Sequence, residues 1–170
     1  PGGNAAQQKY SALDQINKNN VRNLKVAWTY PSGNKAGGVE SIPLIIEGRM
    51  YITTPSQELI SLDASTGKEL WRFNPAREKE RFAGVNRGIA YWKPHTGGII
   101  FYTSGNFLNA VDAGTGRADS SFGQDGRVLL NEALDGNANT SPAAPVLYKD
   151  LVIVGVGGGP GRVKAYDARS

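Results

Sequence analysis

The chain is 170 residues long, 39% hydrophobic and rich in turn formers, with 22 Gly and 9 Pro; this supplies a core and many chain reversals, but no apolar run nears the roughly 18 residues that span a bilayer. It has no Cys, which excludes a disulfide framework and a thiolate metal site. The net charge of +4 comes from scattered Lys and Arg, and the densest cluster, Arg77-Glu-Lys-Glu-Arg81, alternates in sign, which reads as a solvated loop or short helical turn and not as a nucleic-acid surface.

Taken in chain order, Pro1-Gly-Gly resembles the start of a mature or trimmed chain, where a cleaved leader would leave no trace. Residues 10–24 are polar with sparse apolar positions at Leu13, Ile16, Val21 and Leu24, which predicts one short helical turn in a lead-in. Residues 25–30 (KVAWTY) then predict a strand carrying Trp28. Residues 43–53 (PLIIEGRMYIT) predict two strands joined at Glu47-Gly48, and strands beginning at Leu59 and Lys68 complete a four-stranded unit. A second unit follows, with strands over residues 89–92, 98–104 and from Leu108, and a tail over residues 122–130. Within it, Tyr91, Trp92, Phe101 and Tyr102 alternate as core residues. A third opens at Pro145-Val-Leu-Tyr148, turns at Lys149-Asp150 and continues over residues 151–155 and 162–167.

The units share a phrase. Residues 59–71 read LISLDASTGKELW, residues 108–117 read LNAVDAGTGR, and residues 163–169 read VKAYDAR, with Asp63, Asp112 and Asp167 spaced 49 and 55 residues apart. An alternating strand, with Leu59, Ser61 and Asp63 on one face and Ile60, Leu62 and Ala64 on the other, runs into Asp-x-x-Thr-Gly. There the Asp side chain caps the turn and Gly67 takes positive φ. Trp71 is then placed to lie across a neighbouring sheet. One copy reads as an ordinary hairpin with a buried Trp, but three copies at this spacing read as propeller blades. The expected fold is all-β: an incomplete β-propeller of about three four-stranded antiparallel blades, divided into a lead-in with an edge strand (1–36), a blade (37–84), a second blade (85–135) and a partial blade (136–170). Propellers close with about four to eight blades. The open sheet edges are therefore expected to be covered by another chain or by more of this one, or to drive oligomerisation.

Four stretches resemble the quinoprotein dehydrogenases that use pyrroloquinoline quinone (PQQ): Tyr10-Ser-Ala-Leu-Asp-Gln-Ile-Asn with Asn23-Leu-Lys-Val-Ala-Trp28; Glu40-Ser-Ile-Pro-Leu-Ile-Ile-Glu-Gly-Arg-Met-Tyr-Ile; Val85-Asn-Arg-Gly-Ile-Ala-Tyr-Trp92; and Tyr148-Lys-Asp-Leu-Val-Ile-Val-Gly155 with Lys164-Ala-Tyr-Asp-Ala-Arg169. The resemblance implies a parent eight-bladed propeller, of which this chain is the N-terminal third or less, in a periplasmic enzyme that oxidises an alcohol or sugar hydroxyl and passes electrons to a quinone or cytochrome. It implies that Glu40 hydrogen-bonds the cofactor and that Arg87 reaches its quinone oxygens, the guanidinium fork suiting two acceptors. Otherwise Glu40 is a surface carboxylate before a strand and Arg87 pairs with a neighbouring blade. Asn86 reads as shaping the loop. Thr140 falls near a family threonine contact, though its spacing to Tyr148 is two residues longer than the family's.

The chain departs from the alcohol-oxidising branch in two places. Arg81-Phe82 stands where that branch carries an adjacent cysteine pair, and Gly155-Val-Gly-Gly-Gly-Pro-Gly161 lacks the carboxylate that binds calcium there. With Phe122-Gly-Gln-Asp-Gly126, this is most similar to the glucose-dehydrogenase-like branch. No metal ligand or catalytic residue is assigned to the chain, the calcium ligands and an Asp base being implied for later blades. The run over 155–161 fails G-x-G-x-x-G and reads as a hairpin loop. His95, the only histidine, reads as a turn residue. A propeller scaffold of the outer-membrane assembly type, which binds partner proteins and no cofactor, is the other function class. In either class the isolated chain is expected to have no turnover.

Overall fold

The computed structural model describes residues 13–33, 38–77, 80–94, 97–130, 143–157 and 161–170. Among these residues the fold is all-β, with a 3-10 turn at Val21–Asn23 where the lead-in turn is expected, and no helix long and apolar enough to cross a membrane. Sheet 1 is β1 (Leu44–Ile46), β2 (Arg49–Thr53), β3 (Leu59–Asp63) and β4 (Glu69–Phe73); sheet 2 is β5 (Ala90–Trp92), β6 (Ile99–Ser104), β7 (Phe107–Asp112) and β8 (Arg127–Leu129); sheet 3 is β9 (Val146–Tyr148), β10 (Leu151–Val156) and β11 (Arg162–Asp167). Each sheet is an antiparallel meander whose sequence neighbours are spatial neighbours. β5 and β9 contact each other, so the first strands of sheets 2 and 3 stand side by side.

Residue parity decides how the sheets stack. On β6, Ile100 and Tyr102 face sheet 1 and pack with Tyr51, Leu59 and Val111, whereas Ile99 and Phe101 face sheet 3 and pack with Val152, Val154 and Val156. The middle sheet is thus apolar on both faces, which is why β6 is buried along its whole length and lacks the polar-out alternation of a solvated sheet. β3 is buried on both faces too, its second face being covered by Trp28 and Tyr30 of the lead-in. Sheet 3 has one covered face only. Val152, Val154 and Val156 point into the core, while Val146, Tyr148, Leu151 and Val163 lie on the exposed side.

The repeated phrase folds the same way each time. Asp63 Oδ1 accepts from the hydroxyls of Ser65 (2.6 Å) and Thr66 (2.8 Å) and from the amides of both, and Asp112 Oδ1 accepts from the Thr115 amide and hydroxyl at 2.7 and 2.8 Å. Gly67 and Gly116 follow at φ +72° and +71°, a conformation that costs a side chain about 1–2 kcal/mol. The amide after each Asp also donates back to a strand hairpin at the same end of its sheet: Ala64 to Gly48, Ala113 to Gly98, and Ala168 to the Asp150 carbonyl, at 2.7–2.9 Å. An indole then sits on the turn. The Trp28 ring covers Gly67 and its Nε1 donates to the Ala64 carbonyl at 3.2 Å; the Trp71 ring covers Gly116 and its Nε1 donates to the Ala113 carbonyl at 3.2 Å. Trp71 thereby locks sheet 1 onto sheet 2, as its place in the sequence predicts.

One expectation changes and two gain detail. The strand anticipated at residues 25–30, the edge strand of the lead-in, is not formed: no strand among the described residues pairs with the segment, which lies over the face of sheet 1 through Trp28 and Tyr30, and an extended chain without a ladder partner is not a strand. Tyr30 is fastened there by hydrogen bonds to Glu69 and, at 2.7 Å, from Arg72. The tail at residues 122–130 contributes only the three-residue β8, with Phe122 wholly buried edge-on against Phe101. The alternating cluster at residues 77–81 is also more than a solvated loop. Both Glu80 oxygens accept from Arg127 at 2.9 Å, and the Arg127 guanidinium lies 3.9 Å over the Phe107 ring, which fastens the connector between sheets 1 and 2 to the outer strand of sheet 2.

The glycine turns yield a direct comparison. A Cβ at Gly116 would lie 2.5 Å from the Trp71 ring, whereas one at Gly48, at φ +78°, would meet nothing within 4 Å. Gly48→Ala is expected to lower unfolding stability by about 1–2 kcal/mol through backbone strain alone, and Gly116→Ala by about 2–5 kcal/mol because overpacking adds to it; equal denaturation midpoints for the two variants would remove the indole contact from the account. The Asp turn carries a pH signature. Hydrogen bonds from Ser65 and Thr66 hold the Asp63 carboxyl down at about 2, below its unfolded value near 4. Its contribution is therefore complete above about pH 4 and is lost as pH falls toward 2. Asp63→Asn should flatten this part of the stability profile, as measured by urea midpoints between pH 2 and 6.

Candidate functional site

The Asp turns and their indoles occupy one end of the sheets. The leading ends of the first strands occupy the other, because β1 runs away from residues 40–43 toward the Glu47-Gly48 hairpin, and Ala64 joins that hairpin at the turn end. Glu40 is exposed two residues before Ile42, and Arg87 is exposed three residues before β5. The two segments meet: the Ile42 amide donates to the Arg87 carbonyl at 3.4 Å. Between Glu40 and Ile42, the Ser41 hydroxyl is buried and has no hydrogen-bond partner among the described residues. Thr140 and His95 lie outside the described residues.

Arg87 is held by its backbone and not by its side chain. Among the described residues the guanidinium has no hydrogen-bond or ion-pair partner. Asn86, 3% exposed, accepts at Oδ1 from the Thr53 hydroxyl (3.2 Å) and the Gly88 amide (3.0 Å), and donates from Nδ2 to the Thr103 carbonyl at 2.7 Å. It shapes the loop, as its position in Asn86-Arg-Gly suggests. Gly88 is buried, and a Cβ there would stand 3.0 Å from the Ala144 Cβ at the approach to β9. The leading ends of all three first strands therefore converge around Arg87.

Upstream, the connector is seated by packing. The Phe82 ring lies on Gly105 and 6.3 Å from the Phe107 centroid, and the buried Gln57 of sheet 1 accepts from the Gly105 amide at 2.7 Å while donating weakly to Ala83 at 3.4 Å. Sequence reasoning passed over Gln57, Thr53 and the Glu80–Arg127 pair. The partners of each lie 26 to 48 residues away, so no local pattern marks them.

The arrangement offers a free, fork-shaped cation, a carboxylate acceptor and an unsatisfied buried hydroxyl within one short stretch of structure. This donor set fits PQQ, which presents carboxylates and adjacent quinone oxygens to a guanidinium and a ring N–H to a carboxylate. Among the described residues no group of three His, Cys, Asp or Glu is placed to hold a metal ion.

Comparison with known proteins agrees with this architecture. The dehydrogenase subunit of a quinone-dependent alcohol dehydrogenase from Komagataeibacter europaeus is 39% identical over 180 residues, covering 99% of this chain and 23% of that protein. A lanthanide-dependent methanol dehydrogenase from Methylorubrum extorquens is 36% identical, covering 97% of this chain and 27% of its own length. In structure, the quinohemoprotein alcohol dehydrogenase from Comamonas testosteroni superposes with a TM-score of 0.79 at 32% identity, over 98% of this chain and 25% of that one. The chain thus spans about a quarter of the length of these relatives. The profile for the PQQ glucose/ethanol/alcohol dehydrogenase β-propeller domain matches residues 1–170, and with three antiparallel sheets that each carry a copy of the repeated Asp phrase, the chain belongs to that family.

Proposed function

We propose that this chain builds one side of the cofactor site of a periplasmic PQQ-dependent dehydrogenase that removes two electrons from the hydroxyl of an alcohol and passes them to a quinone or cytochrome. The observation that carries the reading is the meeting of the Glu40 and Arg87 segments through the Ile42–Arg87 backbone hydrogen bond, with the Arg87 guanidinium unpartnered among the described residues. When bound, PQQ supplies the ortho-quinone that takes up the electrons. Arg87 would hold the quinone oxygens and stabilise negative charge there, and Glu40 would accept from the ring N–H and fix its orientation. The catalytic base and the ligands of a metal such as calcium are assigned to parts of the protein other than the described residues.

An alcohol is favoured over a sugar as substrate because the relatives named above are alcohol dehydrogenases. The features suggesting the glucose-dehydrogenase-like branch have packing roles: Phe82 lies on Gly105, and Phe122 fills the core of sheet 2. A partner-binding scaffold of the same repeat would give no role to an exposed guanidinium and an exposed carboxylate on two segments whose backbones meet.

Calorimetric titration of PQQ into the full-length protein tests the site. Arg87→Ala is expected to weaken affinity roughly 10- to 100-fold, the effect of losing hydrogen bonds to a charged group, and Arg87→Lys to restore only part of it because the ammonium cannot fork. Unchanged affinity in Arg87→Ala would remove Arg87 from the site. Residues 1–170 alone should show no PQQ-dependent dye reduction, and measurable turnover by that piece would show that the catalytic groups lie within it.

A further inference from the structure

We infer that Thr53 and Asn86 form a positioning pair that sets the location of Arg87, an inference that rests on the cofactor role proposed for that arginine. Among the described residues the Arg87 guanidinium has no hydrogen-bond or ion-pair partner, so the placement of Arg87 follows from its neighbours on either side. On the N-terminal side stands Asn86, whose amide orientation is unambiguous: the Gly88 N–H can only donate and the Thr103 carbonyl can only accept, which assigns Oδ1 and Nδ2 without choice. The remaining Oδ1 lone pair takes the Thr53 hydroxyl.

These bonds join three parts of the fold. Thr53 closes β2 and is 2% exposed; Thr103 belongs to β6; Gly88 leads into β5. Asn86 therefore ties the loop carrying Arg87 to sheets 1 and 2 at once, and its Gly88 bond curls the backbone around Arg87 itself. On the C-terminal side, Gly88 is pressed close to Ala144 and the Arg87 carbonyl receives the Ile42 amide. Sheet 1 reaches the connector through two side chains, Gln57 at Ala83 and Thr53 at Asn86, and the Thr53–Asn86 bond is the one that adjoins Arg87. The bond is buried, the setting in which leaving an acceptor unpaired is most costly.

Thr53→Val keeps the shape of the side chain and removes only the donor, so it avoids the unfolding that Asn86→Ala risks. In the full-length protein it is expected to weaken PQQ binding, measured by calorimetric titration, by about three- to tenfold. Asn86→Asp, which turns a second oxygen toward the Thr103 carbonyl, should weaken it more. The deciding measurement is the double variant Thr53→Val with Arg87→Ala. If Thr53 acts through Arg87, the double variant binds PQQ no more weakly than Arg87→Ala alone. A purely structural threonine would lower the melting temperature while leaving PQQ affinity unchanged, or would add its effect in full to that of Arg87→Ala, and either result overturns the inference. Unchanged affinity in Arg87→Ala itself would instead overturn the cofactor role.

Discussion

An indole lying on a glycine turn is the contact on which the arrangement of sheets depends. The turn must reverse the chain within Asp-x-x-Thr-Gly, which requires a residue at positive φ, and the residue that tolerates this most readily also has no Cβ. That missing atom leaves a flat piece of backbone on which Trp71 can lie, with the carbonyl of Ala113 in reach of its one donor. The same requirement therefore makes the turn and opens the seat for the neighbouring sheet. Because the seats are at the opposite end from Glu40 and Arg87, stacking at one end sets the spacing of the strands that present those residues at the other.

The second seam is built differently. Sheet 2 has Ser120 where the repeat would place an indole, and sheets 2 and 3 meet instead through Val152, Val154 and Val156 against Phe101 and Phe122, with Trp92 donating to Asp150 at 3.3 Å and Lys164 to the Leu130 carbonyl at 2.6 Å. The two seams therefore share an architecture and differ in their anchor: an indole seated on a glycine turn in the first, apolar side chains flanked by two side-chain hydrogen bonds in the second.

How much of this was legible in the sequence depended on whether the cause was local. The Asp63 and Asp112 turns, the strands around them and the docking of Trp71 follow from a dozen contiguous residues and were readable. Glu40 and Arg87 were found through resemblance, and the structure adds that their segments touch. The Trp28 segment was misread because its extended, apolar look is that of a strand, while its role is set by Gly67, 39 positions away. Thr53, Gln57 and the Glu80–Arg127 pair left no trace, since a buried threonine or a glutamate in a mixed-charge run is unremarkable until the fold supplies its partner. In the sign-alternating run Arg77 and Arg81 are exposed, as the pattern suggests, and of its described residues Glu80 alone departs from it by accepting two hydrogen bonds from Arg127.

The described parts of the connector, residues 74–77 and 80–89, form no regular element yet are held by Arg127, Gly105, Gln57, Thr53 and Thr103 in turn. A loop left slack would lose about 1–2 kcal/mol of backbone entropy for every residue ordered when a ligand arrived, whereas here folding has already fixed the chain. What remains to be frozen at Arg87 is a single side chain, a loss of order 2 kcal/mol. Recognition of the ligand proposed for this end of the sheets would in that sense be prepared when the blades stack, and affinity there would depend on how tightly the connector is sewn down as much as on the groups it displays.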